Sequence, residues 1–205
     1  MQHYCSMESS HQTILDLAAQ RGLIRPCDLN ERGLPTVALT RLVRQGLLQR
    51  VGRGLYAIPD RPVSEHAALA ELASKHPQAI ICLLSALRLH ELTTQSPFEV
   101  WLAIPNKARS PKMYYPPLRI VRFSGAALTE GIEERVIDGV LVRVTNVART
   151  VADCFKFRKK IGLDVALEAL QEGWRAKRLS MDELWRYATL CRVANVMRPY
   201  MESLS

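Results

Sequence analysis

Apolar residues recur every three or four positions in some stretches of the chain and alternate or cluster in others. These switches mark its elements. Ile14, Leu15, Leu17 and Ala18 have helical spacing within 11–22, and Gly22 closes that stretch. Pro26 suits the first turn of a short helix running to Arg32. Gly33-Leu34 reads as a turn into residues 35–59, PTVALTRLVRQGLLQRVGRGLYAIP. There the pattern predicts a helix opened by Pro35, with Val37, Leu39, Leu42 and Val43 on its apolar side and Leu47 continuing it. Thr36, Thr40, Arg41, Arg44 and Gln45 point elsewhere, and Gly46 is placed to end the helix. LLQRV predicts a strand, Gly52-Arg53-Gly54 a tight reversal, and LYAI a returning strand closed by Pro59. Helix, short helix, turn, helix and basic-tipped hairpin is the order of a winged helix-turn-helix. A three-helix bundle with a stray hairpin is the plainer alternative. The coincidence of hairpin and arginine argues against it.

Asp60-Arg61-Pro62 reads as a linker. After it, Ser64 is placed to cap a helix through His76, and Ala79–Leu83 is a short apolar run that suits a buried strand. Ser85 is placed to cap the next helix. Phe98–Ile104 and Leu118–Phe123 read as strands around a Pro-rich basic loop. Glu133–Ile137 and Val140–Thr145 flank Asp138-Gly139, a strong hairpin signal. A helix with a basic end follows from Asn146 to about Lys160. Gly162 breaks it, and Asp164–Trp174 resumes it. Ser180-Met181-Asp182-Glu183 fits a capping box opening a long last helix to about Met197. The expected fold class is therefore α+β. An N-terminal winged helix-turn-helix over 1–62 precedes a domain over 63–205, with a mixed sheet of about five strands and a helical C-terminal third.

Charge sharpens this picture. The 205 residues carry a net charge of +8 and a pI near 9.5, a balance that favours an anionic partner. From Arg32 to Pro62 there are six arginines, no lysine and one acid. From Asn106 to Arg122 there are five bases and no acid. The five cysteines are widely spaced and form no CxxC pair, so reduced, mostly buried thiols are expected. No apolar run reaches the ~18 residues that span a bilayer, and the start lacks the pattern of a signal peptide. A cytoplasmic protein without a membrane partner is the expectation. Met7 is a second candidate start.

Thr36, Thr40, Arg41 and Arg44 are candidates for contact with duplex DNA, since a recognition helix presents such residues to the major groove and arginine can bind guanine O6 and N7 together. Arg50 and Arg53, on the wing, suit phosphate or minor-groove contact. A merely solvated basic face is the alternative for any one of them. A second basic surface is expected from Lys107, Arg109, Lys112 and Tyr114 in the loop, with Lys156 and Arg158 at a helix end. The loop could track a nucleic-acid backbone, dock an acidic protein, or be plain surface. The helix-end bases are read chiefly as local stabilisation of a helix C-terminus. No HExxH, GxSxG or GxxxxGK[ST] occurs, and His66, His76 and His90 are dispersed, each read as a helix-surface or cap histidine. Neither catalysis nor a cofactor or metal is expected. A nuclease using Glu99 or Asp138 is the enzymatic alternative.

Several of these runs together resemble the AbiEi-type antitoxins of bacterial type IV toxin–antitoxin systems and their related transcriptional regulators. They are Arg53–Tyr56 followed by Pro59, Ser85–Leu92, the strand ending Leu102-Ala103-Ile104-Pro105, and Val147–Asp153 followed by Lys156-Phe157-Arg158. The resemblance spans roughly 12–175. It implies an autorepressor that binds inverted repeats through the winged helix, around Arg41 and Arg53. It also implies an antitoxin that counteracts a co-transcribed nucleotidyltransferase-type toxin, with or without a stable complex. Arg149 and Asp153 fit the family pattern, and their i,i+4 spacing also allows a structural ion pair. A monomer or weak dimer is expected, self-associating through the N-terminal extension or the last helix. The rival reading is an interaction module that neutralises a toxin by contact, without DNA.

Overall fold

A computed structural model describes residues 2–52, 54–59, 64–95, 97–113 and 116–204, with side chains described from residue 10 onward. Arg53, Tyr114 and the 60–62 linker lie outside the described residues. The chain forms two compact units, Met1–Ser74 with Val136–Leu141, and Lys75–Arg135 with Val142–Ser205.

The first unit begins with α1 (Gln2–Arg21), longer than the 11–22 periodicity predicts, then α2 (Pro26–Asn30) and α3 (Val37–Arg44). Strands β1 (Gln49–Gly52) and β2 (Leu55–Ala57) follow, then α4 (Ala67–Lys75). Ile14, Leu17 and Ala18 bury one stripe of α1 against Leu29 of α2 and Ala38, Leu39 and Leu42 of α3. Fully burying one such leucine contributes about 1.5–3 kcal/mol. The α2 start is tied by Asp28, whose carboxylate accepts the Arg25 N–H at 2.7 Å and the Arg25 guanidinium at 3.1 Å. The first turn of α3 is tightened by i→i+3 bonds, Ala38 N–H to the Pro35 carbonyl and Leu39 N–H to that of Thr36, both 3.1 Å. Gly46, at φ +73°, ends it as expected, with its own N–H bonding Val43 and that of Leu47 bonding Leu42. The antiparallel pair β1–β2 is irregular between Arg50 and Gly52. Residue Ile24 bridges to Tyr56 through two backbone bonds of 2.9 and 3.0 Å, so the hairpin is held to the segment after α1.

A mixed sheet is formed by β3 (Ile80–Ile81), β4 (Val100–Pro105), β5 (Leu118–Phe123), β6 (Ile132–Ile137) and β7 (Val140–Thr145), all in the second unit except the 136–141 tip of the β6–β7 hairpin. Its order is β5-β4-β3-β7-β6. Strand β3 runs antiparallel to β4 and parallel to β7, and β4 runs parallel to β5 in continuous register from Val100↔Leu118 to Pro105↔Phe123. The β6–β7 turn has Asp138 at φ +49° and Gly139 at φ +75°, the pair of positive angles that a type I′ hairpin requires. Helix α5 (Leu83–Leu89) links β3 to β4. The chain then ends in α6 (Val147–Lys156), α7 (Arg158–Ile161), α8 (Leu163–Arg175), α9 (Met181–Leu190) and α10 (Ala194–Glu202). The fold is α+β, with the expected five strands and helical C-terminal third.

Every residue of α6 from Ala148 to Phe155 is buried, so this helix is the axis of the second core. Its Asn146 cap accepts the Arg149 N–H at 2.9 Å. The Arg149 side chain is fully buried, and its Nε–H donates to Asp153 at 3.0 Å. Its Nη1 donates to the Glu130 carbonyl at 3.0 Å, and the guanidinium lies 5.1 Å from the Phe123 ring centre. On the far oxygen Asp153 accepts the Cys191 thiol at 3.2 Å. The i,i+4 pair is thus a structural interaction.

Several local expectations are corrected. Val37 is 61% exposed, and Ala38 takes the core position instead; Leu47 is also 47% exposed. Ser64 accepts the His66 N–H, but the helix starts only at Ala67. Residue Ser85 is not a cap: Cys82 holds that place, and the buried Ser85 hydroxyl accepts the Trp101 N–H at 2.9 Å. The long last helix is two helices, broken where Arg192 takes φ +59°.

Asp28 supplies a pH-dependent link in the first unit. Burial pushes its carboxyl up, but the Arg25 hydrogen bonds and the charges of Arg25 and Arg21 outweigh this and hold it below the usual carboxylate range. A depressed folded pKa contributes stability above the ordinary value, near ~3.9, and loses it as pH falls through the folded value. Asp28→Asn should therefore cost about 1–3 kcal/mol at pH 7 in urea unfolding of the full chain, and progressively less below about pH 4. An equal loss at both pH values would contradict this.

Candidate nucleic-acid interface

Burying Ala38, Leu39 and Leu42 leaves α3 one opposite stripe. On it stand Val37, Thr40, Arg41 and Arg44, all exposed and spaced i, i+3, i+4, i+7. Thr36 is the N-cap residue, half-buried and without a capping side-chain bond. The stripe joins an apolar group, a hydroxyl and two guanidinium groups, with no acid. This combination can meet a thymine methyl, a phosphate and a guanine edge. On β1, Arg50 is exposed and donates its Nε–H to the Gly52 carbonyl at 3.2 Å, a bond that uses only one nitrogen of its fork. Sequence reasoning missed Val37 as part of this face, because its apolar character assigned it to the core. The signal was available in Ala38, which a helix of this period can bury beside Leu42.

The second basic surface divides. Lys107, Arg109 and Lys112 are exposed in the loop. Lys156 is exposed in the last turn of α6, its ammonium 5.9 Å from the Phe157 ring centre. Arg158 is half-buried and turned back to donate to the Phe155 carbonyl at 2.8 Å. That contact is the helix-end stabilisation expected of it. The residue that organises the loop is Arg122, which sequence reasoning counted only as charge. Its Nη1 donates to the carbonyls of Pro105 and Ala108, each at 3.1 Å, and to that of Asn106.

The remaining reactive groups are engaged. Glu99 pairs with Arg119 at 3.0 Å, and Asp138 occupies the hairpin turn. His90 caps α5 and is fully buried rather than on a helix surface. Its Nε2 lies 2.7 Å from the Thr145 carbonyl and its Nδ1 3.1 Å from Arg135, which fits a neutral ring donating from Nε2. Burial pushes its pKa down, and the Arg135 charge adds to this. Burial drives the Cys82 and Cys154 thiols well up, and burial with Asp153 pushes Cys191 up to about 12. Cys27, by contrast, is exposed. Among the described residues no three His, Cys, Asp or Glu side chains are grouped to hold a metal ion. No helix among them is long and apolar enough to cross a membrane.

Residues 12–59, which contain α2, α3 and the hairpin, match the family described as transcriptional regulator, AbiEi antitoxin. This segment carries the AbiEi family signature. The resemblance read from the sequence is borne out there, over less than a quarter of the 205 residues. Among solved structures, the chain is similar to the RV2827C protein from Mycobacterium tuberculosis, with a TM-score of 0.53 and 14% identity over 96% of this chain and 80% of that one. At that identity the likeness concerns the fold. The comparison with curated proteins finds no match. The AbiEi segment is a helix-turn-helix with its α3 stripe outward, and the stripe should be neutral for folding. Thr40→Ala and Arg44→Ala are each expected to change the unfolding free energy by less than about 0.5 kcal/mol in urea titrations. A loss above about 2 kcal/mol would place either side chain in the core's packing instead.

Proposed function

We propose that this chain is a DNA-binding autorepressor and the antitoxin of a type IV toxin–antitoxin system. The α3 stripe carries the reading: Val37, Thr40, Arg41 and Arg44 stand together on the face that the buried core leaves outward. In this reading α3 enters the major groove, with Thr36 at its start, and Arg50 and Arg53 grip the flanking backbone from the wing. Inverted repeats in the operator would take one copy on each half-site, about one helical turn apart. The AbiEi match supports a regulator and antitoxin role. The net charge of +8 supports an anionic partner. The toxin would be a nucleotidyltransferase-type protein encoded beside this chain, in the same cytoplasm.

The test is fluorescence anisotropy on the duplex upstream of the coding sequence. Affinity should fall with salt by about 0.9 log units per phosphate contact for each log unit of salt. Arg44→Ala should cost about 1–3 kcal/mol and relax preference at one base position. Arg50→Ala should weaken binding evenly across sequences and reduce the salt slope by about one. If both variants bind like the parent, the winged helix is not the DNA reader. A stable complex with the adjacent gene product, formed with no operator shift, would instead favour direct neutralisation by contact.

A further inference from the structure

The second unit contains a pocket of about 610 Å³, within the range of small-molecule sites. Phe123, Leu190 and Cys191 line its apolar part. Its charged lining is Arg122, Lys156 and Arg192. Among the described residues no carboxylate lines it, and the 124–127 turn contributes only Ser124, Gly125, Ala126 and Ala127. Gly125 there has open space where a side chain would stand.

Three cations around one concavity repel each other unless an anion fills it. Asp153, the acid bonded to the lining thiol of Cys191, is fully buried and already pairs with Arg149, so it does not neutralise the three bases. The Arg122 guanidinium is clamped by carbonyls of the 105–108 loop, which fixes its position. Lys156 and Arg192 are exposed and come from different helix ends, α6 and α9. The carbonyls of those ends offset part of their charge.

The geometry points to a binding site for a small phosphorylated ligand, a phosphomonoester or diphosphate whose anionic end sits among Arg122, Lys156 and Arg192. An anion of two or more charges matches the three bases, and the apolar part receives the body of the molecule. The site lies wholly in the second unit and is independent of operator binding by α3.

Isothermal titration of the full chain with pyrophosphate and with ADP tests it. Saturable one-site binding is expected, weakened at least about tenfold by Lys156→Gln and by Arg192→Gly. The glycine variant also removes the cost of a left-handed arginine, so its fold should be at least as stable as the parent's. Lys159→Gln with Lys160→Gln, on α7 outside the pocket lining, should leave binding unchanged. Absence of saturable binding would overturn the proposal, as would equal weakening by both sets of variants, the mark of diffuse attraction to a basic surface. Binding of a short single-stranded oligonucleotide but of neither small probe would also overturn it in favour of a nucleic-acid backbone. Operator affinity measured beside it, unchanged in Arg192→Gly, keeps the two activities distinct.

Discussion

Helix α3 can bury one stripe only, and Ala38, Leu39 and Leu42 occupy it. With 3.6 residues per turn, their burial leaves Val37, Thr40, Arg41 and Arg44 no place but the surface. The core and the candidate reading face are therefore two sides of one constraint. The helix sits in one core with residues of α1 and α2 and with Ile24 and Leu48. Asp28 ties the start of α2, Gly46 ends α3, and the Ile24–Tyr56 bridge holds the hairpin to the segment after α1. Residues that touch no ligand thus decide which side chains a ligand would meet.

The second unit solves a different problem with a buried ion. Removing Arg149 and Asp153 from water costs several kcal/mol per charge unless hydrogen bonds replace the solvent. Glu130 supplies a carbonyl, Phe123 a ring face and Cys191 a thiol, so both partners are satisfied. Such a pair specifies geometry more than it adds stability, since only one arrangement of α6, the 126–131 segment and α9 completes the set. The same helix ends leave Lys156 and Arg192 outward. Internal order and surface charge again come from one arrangement.

Much of this was legible in the sequence because local chemistry decided it. The Asp138-Gly139 hairpin, the Gly46 stop and the Ser180 N-cap each rest on a residue type suited to one backbone geometry. At Ser180 the hydroxyl accepts the Glu183 N–H at 3.3 Å, but the Glu183 carboxylate takes the Ser180 hydroxyl rather than closing the expected capping box. Contacts between distant segments were not legible. Ser85 looks like a cap, yet tertiary structure uses its hydroxyl for Trp101. Arg122 reads as one charge among five until its carbonyl partners appear. The break between α9 and α10 carries no glycine signal. Glu91, Lys177 and Arg192 all take the left-handed position at a helix end that glycine usually fills, at φ +57°, +54° and +59°. Val37 was misplaced for a simpler reason: hydrophobicity marks it as core, while the period of the helix lets Ala38 go in.

The central claim is that α3 and its hairpin, not the basic loop of the second unit, meet duplex DNA. Amide hydrogen exchange of the full chain with and without the upstream duplex tests it most directly. The account predicts slowed exchange concentrated in Val37–Arg44 and Gln49–Gly52, with Lys107–Lys112 unchanged. Protection confined to Lys107–Lys112 and the end of α6, with α3 exchanging as in the unbound protein, would contradict it.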